Sequence, residues 1–299
     1  MTPPLRHSLV VAALLAAACA GDPASSDANG GGAGESATTA GSSNGGKGGV
    51  PEAECPAANN PHSAPRAVSV GLVSGQLVDE QGEPTSSGLV QICGKDICVN
   101  ARVGDDGKLA EDVAQVLDDP ACKFGDGLTW GKLAIQLDKG DTELGTLTTA
   151  RLPDFADGVP FTPGTTISSG GVTLTLSADA HVEIDTLTYE DDSQRGFRAV
   201  ELPEPALTQL KQDFVAGFAL SPVDTRICPS PALSLENTEN LAPGTALELY
   251  VLGVDVSEAL TPYGEWQKVG EGQVSDDGAT LDFPEGLPLL TAIGVREKG

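Results

Sequence analysis

Three histidines are all the chain offers to a mechanism built on imidazole. His7 lies in an N-terminal leader and His62 in a low-complexity stretch, so a Ser-His-Asp or Cys-His arrangement has only His181 to use. Asp179 and Glu183 flank it at the start of an apolar run, a setting that suits a surface or capping histidine better than a general base. Carboxylates are plentiful, and Asp105-Asp106, Asp191-Asp192 and Asp276-Asp277 stand as adjacent pairs. A glycosidase needs two acids facing each other across a cleft, about 5 to 9 Å apart, which neighbours in a turn do not provide. Two of the pairs run into glycine, as Asp106-Gly107 and Asp277-Gly278, dipeptides that close hairpins because both residues tolerate positive φ. Calcium is the other use of loop acids, yet no D-x-D-x-D loop occurs. Nor does any glycine-rich run precede a strand-to-helix unit that would cradle phosphate. The residues thus assign no catalytic group, no metal site and no cofactor.

Two further residue types have binding or cross-linking chemistry. Aromatic residues make up only 4% of the chain, so a sugar-stacking surface has few candidates: Trp130, Tyr189, Tyr263 and Trp266. Tyr263 and Trp266 lie together around Gly264 and form the candidate ligand platform; the competing use of the pair is packing of the final hairpin. Of the six cysteines, Cys93 and Cys98 flank the four-residue turn Gly94 to Ile97 and face each other across a hairpin, the first expected disulfide. Cys122 then pairs with Cys55 or Cys228, and one thiol is left over. Zinc is disfavoured, since there is no second close cysteine pair and almost no histidine.

The elements that position these residues begin after residue 66. Before it, one basic residue, Arg6, precedes a ten-residue apolar run from Leu9 to Ala18, too short for a bilayer span of about 20 residues and suited to a secretory signal. The sequence Leu15-Ala16-Ala17-Ala18-Cys19 resembles the bacterial lipobox, which implies cleavage before Cys19 and its lipidation. From Gly21 to Gly49 the composition is confined to Gly, Ala, Ser, Thr, Asn, Asp, Glu, Pro and Lys, which bury too little to offset the entropy of ordering. A flexible tether of about 45 residues reaches roughly 35 to 40 Å. The formal net charge of −26 repels phosphate backbones, so nucleic acid is excluded as a partner.

Beyond the tether, short alternating apolar bursts are closed by turns every eight to twelve residues, and no helix-period pattern supports a βαβ unit. Strands are expected over Val68–Val78, Leu89–Cys93, Cys98–Val103, Lys108–Val113, Leu133–Leu137 and Thr146–Thr149, with Asp112–Leu117 as one short helical turn. Pro153, Gly158, Pro160, Pro163 and Gly164 crowd a boundary. After it the pattern resumes at Val172–Leu176, then His181–Tyr189, Phe197–Glu201, Phe214–Leu220, Ala232–Leu235, Ala246–Leu252, Glu265–Gly270, Thr280–Phe283 and Thr291–Val295. Pro205–Gln212 is the one credible helix.

The pattern Gly75-x-Leu77-Val78-Asp79-x-x-Gly82-x-Pro84, Gly88-x-Val90-x-Ile92, Asp106-Gly107 resembles the carboxypeptidase regulatory-like (transthyretin-like) domain, which performs no chemistry itself. The resemblance does not extend to the catalytic domain of zinc carboxypeptidases, whose H-x-x-E metal motif is absent. The tail, with Pro243-Gly244-Thr245, Pro262-Tyr263-Gly264-Glu265-Trp266 and Val274-Ser275-Asp276-Asp277-Gly278, resembles C-terminal domains of secreted bacterial lipoproteins in which an all-β domain follows a transthyretin-like one. The expectation is an all-β protein with two tandem β-sandwich (transthyretin/immunoglobulin-like) domains after a disordered tether. Its segments are 1–18 signal peptide, 19–66 lipid-anchored Gly/Ser/Ala-rich linker, 67–152 transthyretin-like sandwich and 153–299 second sandwich. The expected role is a non-enzymatic interaction or structural module of the bacterial outer membrane, facing periplasm or surface. It meets the membrane through its lipid alone, and its partner is another envelope protein or, in the alternative reading, a carbohydrate or cell-wall polymer. A carboxylate-based hydrolase is the third reading.

Overall fold

Residues 67–148 form seven strands: β1 (Ala67–Val78), β2 (Val90–Cys93), β3 (Cys98–Ala101), β4 (Lys108–Asp118), β5 (Ala121–Phe124), β6 (Leu133–Gln136) and β7 (Gly140–Thr148). They divide into a three-stranded sheet ordered β4-β1-β7 and a four-stranded sheet ordered β3-β2-β5-β6. β1 runs antiparallel to β4 and parallel to β7. Inward residues of both sheets, among them Val70, Val73, Leu77, Ile92, Leu117, Phe124 and Leu147, meet in one core, in the manner of a β-sandwich. The computed structural model describes residues 55, 65–254, 261 and 263–299. The expected signal, Cys19 and the linker apart from Cys55, Pro65 and Arg66 lie outside the described residues.

Local sequence explains most of these elements but does not reveal β5 and misreads part of β4. The Asp105-Asp106-Gly107 turn closes its hairpin with Gly107 at φ 73°, and a Cβ there would come within 2.3 Å of the Leu77 carbonyl oxygen, so only glycine fits. Asp112–Leu117, expected as a helical turn, is instead the second half of β4. Leu109, Val113 and Leu117 recur every fourth position, which resembles a helical stripe. The backbone finds its partners on β1, however, across an irregularity between Val70 and Leu72, with Ala114 at φ 46°. Tertiary pairing overrides the local period.

Twelve strands follow: β8 (Thr166–Ser169), β9 (Val172–Thr175), β10 (His181–Glu183), β11 (Arg198–Glu201), β12 (Ala216–Ser221), β13 (Thr225–Cys228), β14 (Ala232–Glu236), β15 (Ala246–Leu252), β16 (Trp266–Val274), β17 (Thr280–Phe283), β18 (Leu289–Leu290) and β19 (Ile293–Glu297). The expected helix is a six-residue α1 (Glu204–Gln209). Nine strands make one antiparallel sheet, ordered β11-β12-β19-β15-β16-β17-β14-β9-β8, and β10-β13-β18 form a small one. The large sheet curls until its edges meet, where Ala199 on β11 donates its N–H to Ser169 Oγ on β8 at 3.1 Å. Inside the curl lies a second core, including Leu174, Phe218, Leu235, Leu249, Leu281, Phe283 and Val295.

No hydrogen-bonded sheet crosses the segment 149–165, yet the apolar packing does. The core of the first two sheets also takes in Leu202, Ala206, Leu210, Ala219, Leu252, Val254, Tyr263 and Ala292. Arg198 bolts the same seam. It is 1% exposed, its Nη1 donates to the Leu128 and Pro153 carbonyls at 2.7 and 3.0 Å, and its Nη2 donates to Ser221 Oγ at 3.0 Å. Its guanidinium lies 4.3 Å from the Phe155 ring centroid.

Candidate functional site

The core of the first sheets reaches the curled sheet at Ala219 on β12, Leu252 at the end of β15 and Ala292 just before β19. On β8, β9, β14, β17 and the Glu271–Gln273 end of β16 the outward side chains are exposed or half-buried. The inner strands of this set alternate with period two: in β9, β14 and β17, Leu174, Leu233, Leu235, Leu281 and Phe283 are buried, while Thr173, Ser234 and Asp282 point outward. Register makes a row of them. Ser168 lies opposite Thr173, Thr173 opposite Ser234, Ser234 opposite Asp282, and Asp282 opposite Gln273, so five consecutive strands contribute one polar side chain each. Two contacts orient the row: the Ser168 and Thr173 hydroxyls are 2.8 Å apart, and Ser234 Oγ donates to Asp282 Oδ1 at 2.7 Å.

β16 and β17 pair only through Gln273 with Asp282 and Val274 with Leu281, and beyond that point the surface opens into a groove of about 650 Å³. It is lined by Thr175, Ala232, Ser234, Gln273, Asp282, Pro284 and Glu271 over a floor of Gly272, Leu233 and Phe283. Gly272 is obligatory here, since a Cβ would meet the Asp282 carbonyl oxygen at 2.3 Å and the Phe283 ring at 2.5 Å. A smaller hollow of about 340 Å³ continues past the shared Ser234, along Thr173 and Ser168 to Glu236.

The far wall of the groove is charged but compensated. Lys268 and Lys298 each stand 2.6 Å from a Glu271 carboxylate oxygen and hold its pKa below the usual carboxylate range. The next carboxylate inward, Glu248, faces Glu271 across the β15–β16 pairing. Hydrogen bonds from Lys268 at 2.9 Å, Arg296 at 2.7 Å and the Tyr250 hydroxyl at 2.8 Å push it down to about 2. Lys268 is raised in return, first by Glu271 and then by Glu248. These acids remain ionised at neutral pH and accept hydrogen bonds; neither is poised to donate a proton.

The sequence-level candidates lie elsewhere. Tyr263 and Trp266 do not form a shared platform. Tyr263 is 1% exposed, its ring 5.4 Å from Lys123 Nζ, and burial pushes its hydroxyl pKa far up. Trp266 is half-buried, meets Phe214 edge-on at 4.7 Å between ring centroids and lines a crevice with Gln136 and Gln212. The reason for the separation is local: Gly264, at φ 72°, seats the loop against Ala121 and turns Tyr263 inward. Trp130 is buried, and so is Tyr189, whose hydroxyl donates to the Gly127 carbonyl at 3.2 Å and accepts from Val223 N–H at 2.6 Å.

His181 Nε2 stands 3.6 Å from Glu183 Oε1. The same carboxylate takes Arg226 at 3.3 Å and the Cys55 N–H at 2.8 Å, so Glu183 organises an ion-paired corner. Of the acid pairs, Asp106 pairs with Lys108 at 2.9 Å, Asp191 caps a short 3-10 turn, and Asp277 accepts from Ser275 Oγ and Ala279 N–H. All three serve turns. Cys93 and Cys98 are disulfide-bonded; Cys122, expected to pair with Cys55 or Cys228, is instead the buried free thiol, and Cys55 and Cys228 bond to each other. Among the described residues, no three His, Cys, Asp or Glu side chains gather as metal ligands would.

The residues of the polar row were missed at the sequence level because none is individually chemical. Their signal was the alternation itself, in Val172-Thr173-Leu174-Thr175, Leu233-Ser234-Leu235 and Leu281-Asp282-Phe283; what aligned them was strand order, which the sequence did not reveal.

No protein-family model and no curated protein matches the chain. Among solved structures, it has a likeness to a "putative carbohydrate binding protein" from Bacteroides uniformis, at 8% identity and a TM-score of 0.21, over 77% of this chain and 100% of that one. At that TM-score the likeness carries no argument about fold or ligand.

Proposed function

We propose that this chain is a non-enzymatic envelope protein, lipid-anchored at Cys19 in the bacterial outer membrane, whose ligand is carbohydrate. In this reading two tandem sandwich domains, the first transthyretin-like, stand on a flexible tether. The observation that carries the reading is the groove of about 650 Å³ on an open sheet face, where hydroxyl, amide and carboxylate groups are held in register beside the small apolar surfaces of Ala232 and Pro284. Sugars are recognised by that mixture: multiple hydrogen-bonding groups at fixed spacing around a patch that accepts the C–H face of a pyranose. Glu271, the carboxylate of the groove wall, is held below the usual carboxylate range by Lys268 and Lys298, which suits it to accept hydrogen bonds from sugar hydroxyls.

The test is retention of the full chain on immobilised envelope and plant polysaccharides, beside Ala232→Trp, which fills the groove from an exposed position. Retention of the native chain and its loss in the variant supports the reading. Equal retention of both, or none of either, sinks it. Anchoring is tested separately by metabolic labelling with a palmitate analogue, in which Cys19→Ser should abolish incorporation.

A further inference from the structure

The row and the groove together define the shape and charge of what fits, and this inference rests on the carbohydrate reading above. Neighbouring strands lie about 4.8 Å apart, so the row from Ser168 to Gln273 presents a polar group at that interval over roughly 19 Å. An extended β-linked pyranose chain repeats at close to the same interval. A second row runs parallel to the first, two residues along each strand: Thr166 faces Thr175, Thr175 faces Ala232, and on the other side of the groove Glu271 faces Glu248. Residues of both rows line the groove, with Ser234, Asp282 and Gln273 from the first and Ala232 and Glu271 from the second.

We infer that the groove and the smaller hollow beside it together bind an extended, uncharged β-linked glycan chain lying across the strands, one sugar per strand, from β8 to β16. The direction follows from the spacing: a chain laid along a strand would meet outward side chains only every second residue, about 6.6 Å apart, out of step with the sugar repeat. Charge sets the class. Asp282 and Glu236 line the surface, and among the described residues no basic residue is paired to them; Lys268 and Lys298 beside the groove are engaged by Glu271 and Glu248. A uronic-acid polymer would bring carboxylates against carboxylates.

Calorimetric titration of the full chain with neutral β-linked hexose oligomers of increasing length tests this. Affinity should climb roughly tenfold from the disaccharide to the pentasaccharide, about 1.4 kcal/mol, and then level off. Ser168→Ala and Gln273→Ala, at exposed positions on opposite ends of the row, should each weaken the pentasaccharide roughly threefold and leave the disaccharide unchanged, since it is satisfied by Ser234 and Asp282 at the centre. A plateau already at the disaccharide, indifference to both end variants, or tighter binding of polyuronate or free-amine oligomers overturns the inference. Such results leave the carbohydrate reading standing, whereas a chain that binds no carbohydrate removes both.

Discussion

Arg198 is a buried cation held by two carbonyls, a hydroxyl and an aromatic face, with no carboxylate in contact among the described residues. Desolvation lowers its pKa, but a guanidinium starts so high that it stays protonated. Its donors satisfy acceptors from the loop at Leu128, the connection at Pro153 and strand β12, so truncation orphans groups on three segments at once. Arg198→Met should therefore cost roughly 2 to 4 kcal/mol in urea denaturation, well above the loss for an exposed arginine such as Arg102→Met. Cys122 carries the opposite lesson. Burial pushes its thiol up to about 12, so it is neither nucleophile nor disulfide partner in the native state. Alkylation followed by site-resolved mass spectrometry should find Cys122 unmodified in folded protein and fully modified in denaturant; rapid modification under native conditions would contradict its burial.

At the scale of elements, Glu248 ties β15 to β16 and β19 through Lys268 and Arg296. Its pKa is depressed in the folded state, so the unfolded chain binds its proton more readily. The stability it contributes is present above the unfolded carboxyl pKa and is lost as pH falls toward about 2. The acid limb of a stability–pH curve should be shallower in Glu248→Gln between pH about 4.3 and about 2, and an unchanged slope would mean that the ion pairs are not coupled to folding. The two disulfides differ in reach. Cys55–Cys228 closes a separation of 173 residues and Cys93–Cys98 one of 5. Loop-closure entropy then gives about 5 kcal/mol for the first and about 2 kcal/mol for the second. Chemical denaturation of Cys55→Ser with Cys228→Ser, compared with Cys93→Ser with Cys98→Ser, should rank them in that order. The short bridge was legible, because a four-residue turn sets both cysteines opposite one another. The long one was not, because nothing local connects Cys55 to β13. The same division holds throughout: β15, β17 and the hairpin glycines follow from alternation and turn chemistry, whereas β5, β8 and β13 emerge only when neighbouring strands supply their partners.

For the whole molecule, the sheets divide near residue 150 while the first apolar core extends across that point. Leu252 and Ala292, at the end of the curled sheet, pack with Leu77, Ile92 and Phe124 in one cluster. Leu252 is fully buried there, and Leu252→Ala should cost roughly 3 kcal/mol. Hydrogen exchange should show amides in β1 and in β15 losing protection together; loss confined to β15 would mean that the two halves open independently. The expectation of an all-β fold agrees with the strands, while the crowding of proline and glycine near residue 153 marks where sheets end and says nothing of what their faces cover. The surface left uncovered is the polar row, which is why its place could not be read from composition. The Cys55–Cys228 bond has one further consequence, for mechanics. A pull transmitted along the N-terminal chain enters the fold at Cys228 on β13 before it reaches Ala67, so the load passes into the interior of the second set of strands, and β1, the central strand of its sheet, is spared from being peeled away.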